Sequence, residues 1–295
     1  MAILTDNMRG ALLMMGSMAA FTLNDAFMKA LSDELPLAQA IFLRGIATTV
    51  MMYVLARAMG GLRLNLPRRQ WMLIALRSVT EIGAAYFFIS ALYNMPLANA
   101  SAILQALPLS ITLAGAVFLG EAVGWRRYSA ILVGFLGVLL IVRPGFAGFN
   151  AYSVYALLAV VMVTLRDLLA RRLSHDVPTM TVALVNAFAV MVVFGFGAFA
   201  ADWAPVSGKA AFQLAGASVL IIGGYVFSVS AMRVGEIAVI APFRYTSLLW
   251  ALMLGLLIFT EWPDALTLIG SAVVVATGVY TFYRERKIAQ QIIGP

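Results

Sequence analysis

The sequence predicts an all-α integral membrane protein with ten transmembrane helices. Three observations lead to this prediction: 63% of the 295 residues are hydrophobic, only 11% are charged, and the apolar residues are gathered into long runs. A soluble domain carries about 25% charged residues, so this chain cannot cover its surface with polar groups. Most of its surface is therefore expected to face lipid.

Ten apolar runs are long enough to cross a bilayer, which requires about 17–25 helical residues. The connecting segments are short, and they leave no room for a sizeable soluble domain. The length of the runs favours helices, because barrel strands have about ten residues and alternate strictly in polarity. The predicted spans are residues 10–31, 36–57, 71–93, 97–119, 128–146, 151–171, 178–200, 211–232, 237–259 and 265–283.

The first run has the basic flank and the small following residues of a signal peptide. We interpret it as a retained helix, because cleavage would leave nine helices and would spoil the charge asymmetry of the loops. The chain has no cysteine, which excludes disulfides, thiolate chemistry and cysteine-based metal sites.

The basic residues are distributed unevenly between the two sides of the predicted helices. With a cytoplasmic N-terminus, the outer side holds only Lys29, Arg143 and Lys209. This imbalance is the positive-inside pattern, which predicts that both termini are cytoplasmic. The net charge of +7 is then a signal of topology and does not indicate a nucleic-acid partner. Fourteen of the 20 basic residues lie on the inner side: Arg9, Arg57, Arg63, Arg68, Arg69, Arg126, Arg127, Arg166, Arg171, Arg172, Arg233, Arg284, Arg286 and Lys287.

The chain contains two related halves. The stretch Ala91–Glu121 aligns with Ala231–Glu261, and each combines the end of one span, a tight polar turn, a whole span and a terminal glutamate. The alignment predicts two five-helix repeats, at residues 1–146 and 147–295. Because five is odd, the second repeat enters the membrane in the opposite orientation, which is typical of transporters with two similar states around a central site.

One segment carries a family resemblance. "GEAVGWRRYSAILVGFLGVLLIVRPG", residues 120–145, combines a glutamate at the membrane face, a basic turn and a glycine-spaced helix that ends in Arg-Pro-Gly. It resembles the signature that closes the first repeat in the EamA family of the drug/metabolite transporter superfamily. The second half, "TEWPDALTLIGSAVVVATGVY", keeps the glutamate and the glycines but has a shorter turn. Residues 24–45 resemble the family's opening helix pair, with an arginine early in the second span.

The resemblance covers essentially the whole chain and implies a multi-pass carrier of the bacterial inner membrane. Members of the family export amino acids and other metabolites, or take up nucleosides, vitamins and cofactors. The sequence looks closest to the bacterial amino-acid exporters, with aromatic or broad specificity. Uptake of a vitamin, a nucleoside or an S-adenosylmethionine-like metabolite is the nearest alternative.

Charged residues inside spans are costly, by about 2.5–3.5 kcal/mol each on insertion scales. Arg77 and Glu81 are one helical turn apart and can pair on one face, and Asp25 and Lys29 have the same spacing beside Asn24. These are either self-neutralised structural pairs or parts of a gate. Glu81 is the preferred protonatable residue, because it lies near the middle of its span.

Two arginines stand apart from these pairs. Arg44 lies early in the second span, within snorkelling reach of the interface, and we expect it to serve packing and orientation. Arg244 has no acid at i±3 or i±4, and Pro242 opens the helix beside it. Irregular backbone at this depth is tolerated only against protein or a water-filled cavity. Arg244 is therefore expected either to face a central cavity and attract a carboxylate, or to form an interhelical ion pair, with Glu81 as one candidate.

Pro108 occupies a similar depth in the first repeat, close to Gln105, which aligns with Tyr245. Besides Arg244 and Glu81, seven side chains are candidates for the cavity, although such residues also serve as packing in membrane helices: Asn24, Tyr86, Gln105, Asn186, Tyr225, Tyr245 and Trp250. Glycines that allow close helix approach are interpreted as scaffold or as the surface of a homodimer: Gly134, Gly137, Gly270 and Gly278.

The sequence contains no Walker motif, no GxGxxG motif and no histidine cluster, and His175 is expected to be solvated beside Asp176. We therefore predict neither an enzyme nor a metal or cofactor site. A channel is a further alternative. The predicted function is a secondary carrier in the lipid bilayer that moves a small-molecule substrate by alternating access.

Reporter fusions test the predicted orientation of the helices. Alkaline phosphatase is expected to be active when fused after residues 33 and 205, which lie in predicted outer loops, and inactive after residues 62 and 174. A fluorescent protein fused at the same four positions serves as the control and should give the opposite result. Equal signals from positions 33 and 174, which follow the first helix of each repeat, would contradict an inverted second half.

Overall fold

A computed structural model describes residues 6–58, 61–120, 123–145, 149–174, 176–234 and 236–293. Within this part of the chain all regular structure is helical, and ten segments are long and apolar enough to cross a membrane. The predicted all-α membrane fold is confirmed. The helices are α1 Asp6–Ala30, α2 Leu37–Ala58, α3 Arg68–Asn94, α4 Leu97–Leu104, α5 Leu107–Leu119, α6 Trp125–Val142, α7 Tyr152–Arg171, α8 Thr179–Ala200, α9 Gly208–Val234, α10 Ile237–Ile240, a 3-10 helix Ala241–Tyr245, α11 Thr246–Phe259 and α12 Ala265–Ile293.

Some expectations fall on residues that the structure does not describe. Glu121, which aligns with Glu261, and His175 lie outside the described residues, and so does the predicted boundary between residues 146 and 147. The cytoplasmic location of the two termini remains a prediction.

Two of the ten spans are interrupted. The fourth span is divided between α4 and α5, and the ninth begins with α10 and the 3-10 helix before α11. Pro108 lies in the first turn of α5, and Pro242 lies in the 3-10 helix. Because proline has no backbone N–H, the i→i−4 ladder cannot continue through either position. The fourth and ninth spans are thus interrupted beside these two prolines.

The chain forms two compact units, and each combines segments from both sequence halves. Unit 1 comprises Met1–Leu23, Met95–Val154 and Gly223–Pro295, and unit 2 comprises Asn24–Asn94 and Tyr155–Ile222. In unit 1, α6 packs along α12, and in unit 2, α2 packs along α8. These pairs are the fifth with the tenth span and the second with the seventh, so helices in corresponding positions of the two halves lie together.

Glycines bring the backbones of α6 and α12 together in unit 1. A Cβ on Gly270 would lie 2.5 Å from the Gly137 carbonyl oxygen, and a Cβ on Gly137 would lie 2.9 Å from the Gly270 carbonyl oxygen. Gly134 leaves room for Leu109, and Gly278 leaves room for the hydroxyl of Tyr245. These four glycines thus serve packing within the chain. The sequence predicted either this scaffold role or a role in the surface of a homodimer.

In unit 2, aromatic and sulfur-containing side chains fill the contact between α2 and α8. A Cβ on Gly195 would lie 2.9 Å from the ring of Phe42, and one on Gly45 would lie 3.1 Å from Met191. The Phe42 ring also contacts the rings of Phe199 and Trp203, with centroids 5.5 and 6.4 Å away. Small residues on one helix therefore receive large ones from the other.

Polar contacts in unit 2 hold the segment before α9 against the connection between α1 and α2. Gln39 makes a reciprocal pair of hydrogen bonds with the backbone of Ala204, at 2.7 and 2.9 Å. Glu34 accepts a hydrogen bond from the Ser207 hydroxyl at 2.5 Å and lies 3.1 Å from the Lys209 ammonium. The hydrogen bond from Ser207, followed by the contact with Lys209, lowers the pKa of Glu34 below its ordinary value.

Carboxylates play a similar part at one end of unit 1. Asp264 accepts the backbone N–H of Thr267 at 2.9 Å, which caps α12, and it forms an ion pair with Arg143 at the end of α6. Burial opposes the ionisation of Asp264, but the Thr267 amide and Arg143 outweigh it and lower the pKa of Asp264. Glu261 accepts the backbone N–H of Leu97 at 2.9 Å, at the start of α4. Charged side chains thus satisfy backbone donors that the helix ends leave open.

Substitution of Gly270 tests the close approach of α6 and α12. We expect Gly270→Ala to lower the melting temperature of the detergent-solubilised protein, with a cost of about 1–3 kcal/mol, because its Cβ would overlap a backbone oxygen that cannot move alone. Intrinsic fluorescence of the five tryptophans reports the transition. Gly223→Ala is the matched control, since a Cβ there meets nothing within 4 Å. Equal stability of the two variants would show that the approach is not tight.

The acid dependence of stability tests the two carboxylate clusters. Glu34 and Asp264 have lowered pKa values in the folded protein, so they stabilise it fully above their unfolded values of 4.5 and 3.8. This contribution is lost as the pH falls towards the folded values, because protonation removes the hydrogen-bonded carboxylates.

We therefore expect Glu34→Gln and Asp264→Asn to melt below the wild type at pH 7. The difference should shrink between about pH 6 and pH 3, as measured by tryptophan fluorescence in detergent. Asp33→Asn, at an exposed position of the same connection as Glu34, is the control and should melt like the wild type at pH 7. A difference that stays constant with pH would rule out the ionised carboxylates as its source.

Candidate functional site

In unit 1, the two interrupted spans contact each other where they are broken. Gln105, at the end of α4, donates from Nε2 to the Ser247 hydroxyl at 2.5 Å. The Ser247 hydroxyl in turn donates to the Arg244 carbonyl at 3.0 Å, and the Thr22 hydroxyl lies 3.5 Å from the Ser247 carbonyl. Side-chain amide and hydroxyl groups thus supply polar partners at the breaks, which form a polar centre among apolar helices.

The 3-10 helix gives Arg244 and Tyr245 different environments. Arg244 is exposed and lies two residues before α11, whose N-terminal turn favours anions through the helix dipole. Tyr245 is only 5% exposed; its ring contacts Phe282, and its hydroxyl fills the space beside Gly278. The hydroxyl has no hydrogen-bond partner in the part of the chain that the structure describes. Of these two neighbours, Arg244 is the exposed one and Tyr245 the buried one.

Two aromatic candidates lie in the same unit. Trp250 packs against a buried cluster that contains Met14, Met18 and Ile240, so the methionine-rich α1 contributes to its surroundings. The indole Nε1 of Trp250 is buried without a hydrogen-bond partner among the described residues. Tyr225 is half-buried on α9, next to Gly224, whose carbonyl accepts the Ser17 hydroxyl at 2.7 Å. The sequence candidates Gln105, Arg244, Tyr245, Trp250 and Tyr225 therefore all belong to unit 1.

Unit 2 contains a network of alternating charges between α3 and α7. Glu81 lies 3.9 Å from Arg77, at the predicted i,i+4 spacing, and 3.4 Å from Arg166. Arg166 also contacts Asp167 at 2.9 Å. The charge distribution of the sequence assigned Arg166 to the inner side, but the structure directs its guanidinium to an acid of another helix. The two positive and the two negative charges alternate along this network and compensate one another.

A second polar group in unit 2 connects α1 with α2. Arg44 donates from Nη1 to the Asn24 side-chain oxygen at 3.2 Å, and Asn24 donates from Nδ2 to Asp25 at 2.9 Å. The guanidinium of Arg44 is directed to these neighbours, and its expected role in packing and orientation stays a prediction. Lys29 donates from Nζ to the Leu92 carbonyl at 3.3 Å. The predicted pairing of Asp25 with Lys29 stays a prediction.

The two remaining candidates of unit 2 have separate environments. Asn186 is buried on α8 and accepts the hydroxyl of Ser78 from α3 at 2.7 Å. Tyr86 is exposed, and its ring contacts those of Phe87 and Tyr155. Asn186 is therefore engaged in joining two helices, whereas Tyr86 presents part of its ring at the surface.

Sequence reasoning missed several members of these groups. Ser247 carried a detectable signal, because a hydroxyl three residues after Arg244 can bond back to its carbonyl. Its contact with Gln105 and the contact of Arg166 with Glu81 join residues far apart in the chain, and no local spacing indicates them. Among the described residues, no group of three or more acidic or histidine side chains is placed to hold a metal ion.

Comparison with known proteins gives a consistent class of relatives. The model of the EamA-like transporter family matches residues 8–143 and, separately, residues 151–283. The chain is 29% identical over 277 residues to the pseudopaline exporter CntI of Pseudomonas aeruginosa, across 90% of this chain and 93% of that protein. It is 26% identical to the riboflavin transporter of Vibrio cholerae, across 97% of both chains.

Two further comparisons extend this result. The chain is 26% identical over 195 residues to the S-adenosylmethionine uptake transporter of Rickettsia felis, across 65% of each protein. A solved crystal structure superposes with a TM-score of 0.68 at 18% identity, across 95% of this chain and 98% of that one. At this identity the superposition bears on the fold alone.

Proposed function

Since the chain belongs to the EamA-like transporter family, we propose that it is a secondary carrier that exports amino acids or similar small zwitterions by alternating access. It is a multi-pass transporter of the bacterial inner membrane and not an enzyme. The observation that carries the proposed substrate class is the exposed Arg244 at the break of the ninth span. A cation placed at the start of a half-helix suits a carboxylate ligand.

The proposed mechanism requires that residues 1–146 and 147–295 be inverted repeats. Three observations support this: the family model matches twice, helices in corresponding positions pack together, and both halves break one span at a proline. Two similar halves of opposite orientation provide two states of similar energy, each open to one side. Because the sequence shows no ATP-binding motif, the free energy comes from the substrate's own gradient or from an ion.

The alternative role for Arg244 is an interhelical ion pair with Glu81. Glu81 is already in contact with two guanidinium groups, those of Arg77 and Arg166. A third arginine would add a positive charge to a network that is already compensated. This argues against Glu81 as the partner of Arg244. Guanidinium groups bind carboxylates through two parallel hydrogen bonds, which gives orientation as well as affinity.

A second candidate function is the uptake of a vitamin or nucleoside-like metabolite. The similarity to the riboflavin transporter of Vibrio cholerae across 97% of both chains favours it. The two functions differ in substrate and direction while sharing the fold and the cycle. Proteoliposomes with labelled L-phenylalanine, L-leucine, L-threonine, riboflavin and S-adenosylmethionine distinguish them. Saturable counterflow of an amino acid supports the first function, and counterflow of riboflavin or S-adenosylmethionine alone supports the second.

Substitution of Arg244 tests its role as the carboxylate-binding residue. We expect Arg244→Ala to lower amino-acid counterflow about 10- to 100-fold, which corresponds to the loss of a charged hydrogen-bonding partner. Arg244→Lys should retain part of the activity, because it keeps the charge without the planar fork. Initial rates in proteoliposomes measure both effects.

Arg233→Ala is the matched control, because Arg233 is an exposed arginine of the same unit at the end of α9. Its rate should equal that of the wild type. Gel filtration and tryptophan melting establish that each variant is folded. An unchanged rate for a folded Arg244→Ala protein would remove this residue from the mechanism.

A further inference from the structure

Asp25 belongs to a polar group in unit 2 that substrate binding at Arg244 does not use. It lies within the α1 span, between the buried Asn24 and the apolar Ala26. A carboxylate in such a span is compensated either by a cation or by a proton, because an isolated charge is costly there. Its immediate neighbours therefore decide what it can do.

Asn24 connects Asp25 to Arg44. Its side-chain nitrogen donates to Asp25 Oδ1 at 2.9 Å, and its side-chain oxygen accepts from Arg44 Nη1 at 3.2 Å. The amide is only 3% exposed, so both of its ends are used inside the protein. Asp25 Oδ1 can accept this hydrogen bond whether the acid is charged or neutral, and Oδ2 can carry the proton. The contact with Asn24 thus tolerates both protonation states.

Glu81 has a different environment. One of its oxygens lies 3.4 Å from Arg166 and the other 3.9 Å from Arg77, so each oxygen faces a guanidinium group. Protonation would remove the anion that holds these two cations together. Although the sequence favoured Glu81 as the protonatable residue, its contacts suit a permanent counter-charge. Asp25, which contacts its nearest guanidinium through an amide, is better placed to gain and lose a proton.

We propose that Asp25 is the proton-coupling residue of the carrier and that Asn24 positions it relative to Arg44. This inference rests on the proposed function. In the described part of the chain, Arg44 from α2 acts on Asp25, and Tyr93 and Glu81 from α3 act on Arg44. Lys29 lies four residues after Asp25 on α1. The α9 segment packed against this part of α1 contributes apolar contacts, including Phe212 against Phe27.

The coupling step is a simple proton exchange. The Asp25 carboxylate takes one proton from the solution on one side of the membrane and becomes a neutral carboxylic acid. After the change of state it releases that proton on the other side, and the substrate crosses in the opposite direction. The polar group formed by Asp25, Asn24 and Arg44 thus gains and loses one unit of charge in each cycle. Coupling requires that the two states of the carrier bind this proton with different affinities.

Two assays on the purified full-length protein in proteoliposomes separate coupling from binding. Counterflow of labelled L-phenylalanine, L-leucine and L-threonine at equal pH measures exchange, and accumulation under a pH gradient measures coupling. We expect Asp25→Asn to exchange these probes within about threefold of the wild type but to lose accumulation completely. Trapped pyranine should report proton movement on addition of amino acid for the wild type only.

Asp33→Asn is the matched control, with the same chemical change at an exposed position near the end of α1, and it should keep both activities. Asp25→Glu should keep coupling with a shifted pH profile. Accumulation by Asp25→Asn would overturn this inference alone. Loss of both activities in a folded Asp25→Asn protein would also overturn it, since the residue would then serve binding. If Asp25→Asn does not fold, an unchanged pH profile of Asp25→Glu decides against the inference. A wild type that exchanges none of the probes would overturn the proposed amino-acid function and the inference with it.

Discussion

The requirement that polar groups inside a membrane be satisfied by the protein itself governs this structure. Two prolines interrupt the fourth and ninth spans, so backbone groups at each break lack their helical partners. Gln105 and Ser247 lie at these breaks and bond to each other. The breaks are therefore positions where irregular backbone and polar side chains lie together, and Arg244 lies at one of them, near the start of the apolar segment Ala241–Phe259.

The same requirement produces two kinds of charged group in unit 2. Glu81 contacts Arg77 and Arg166, and Arg166 also contacts Asp167. The charges of this network therefore compensate one another. Asp25 and Arg44 are instead connected by a neutral amide, and the contact of Asp25 with this amide tolerates either protonation state of the acid. In a carrier that couples transport to protons, compensated pairs keep the helices together, and a second kind of group gains and loses the proton.

The arrangement of the helices relates the two halves of the chain. The second span packs against the seventh and the fifth against the tenth, each pair within one compact unit. Gly137 and Gly270, at corresponding helices, allow the backbones to approach so closely that neither tolerates a side chain. Close packing of this kind resists small shifts of α6 relative to α12, because such shifts would open gaps or create overlaps.

The sequence by itself determined the ten spans, the two proline breaks and the family, because hydrophobic length, the missing proline N–H and motif spacing are local properties of the chain. It also identified most of the polar residues at depth. Only the tertiary structure decided their partners: Arg44 bonds to Asn24 on the neighbouring helix, and Arg166 contacts Glu81 from another helix. Partners of this kind depend on which helix faces meet, and that is fixed by packing between distant segments.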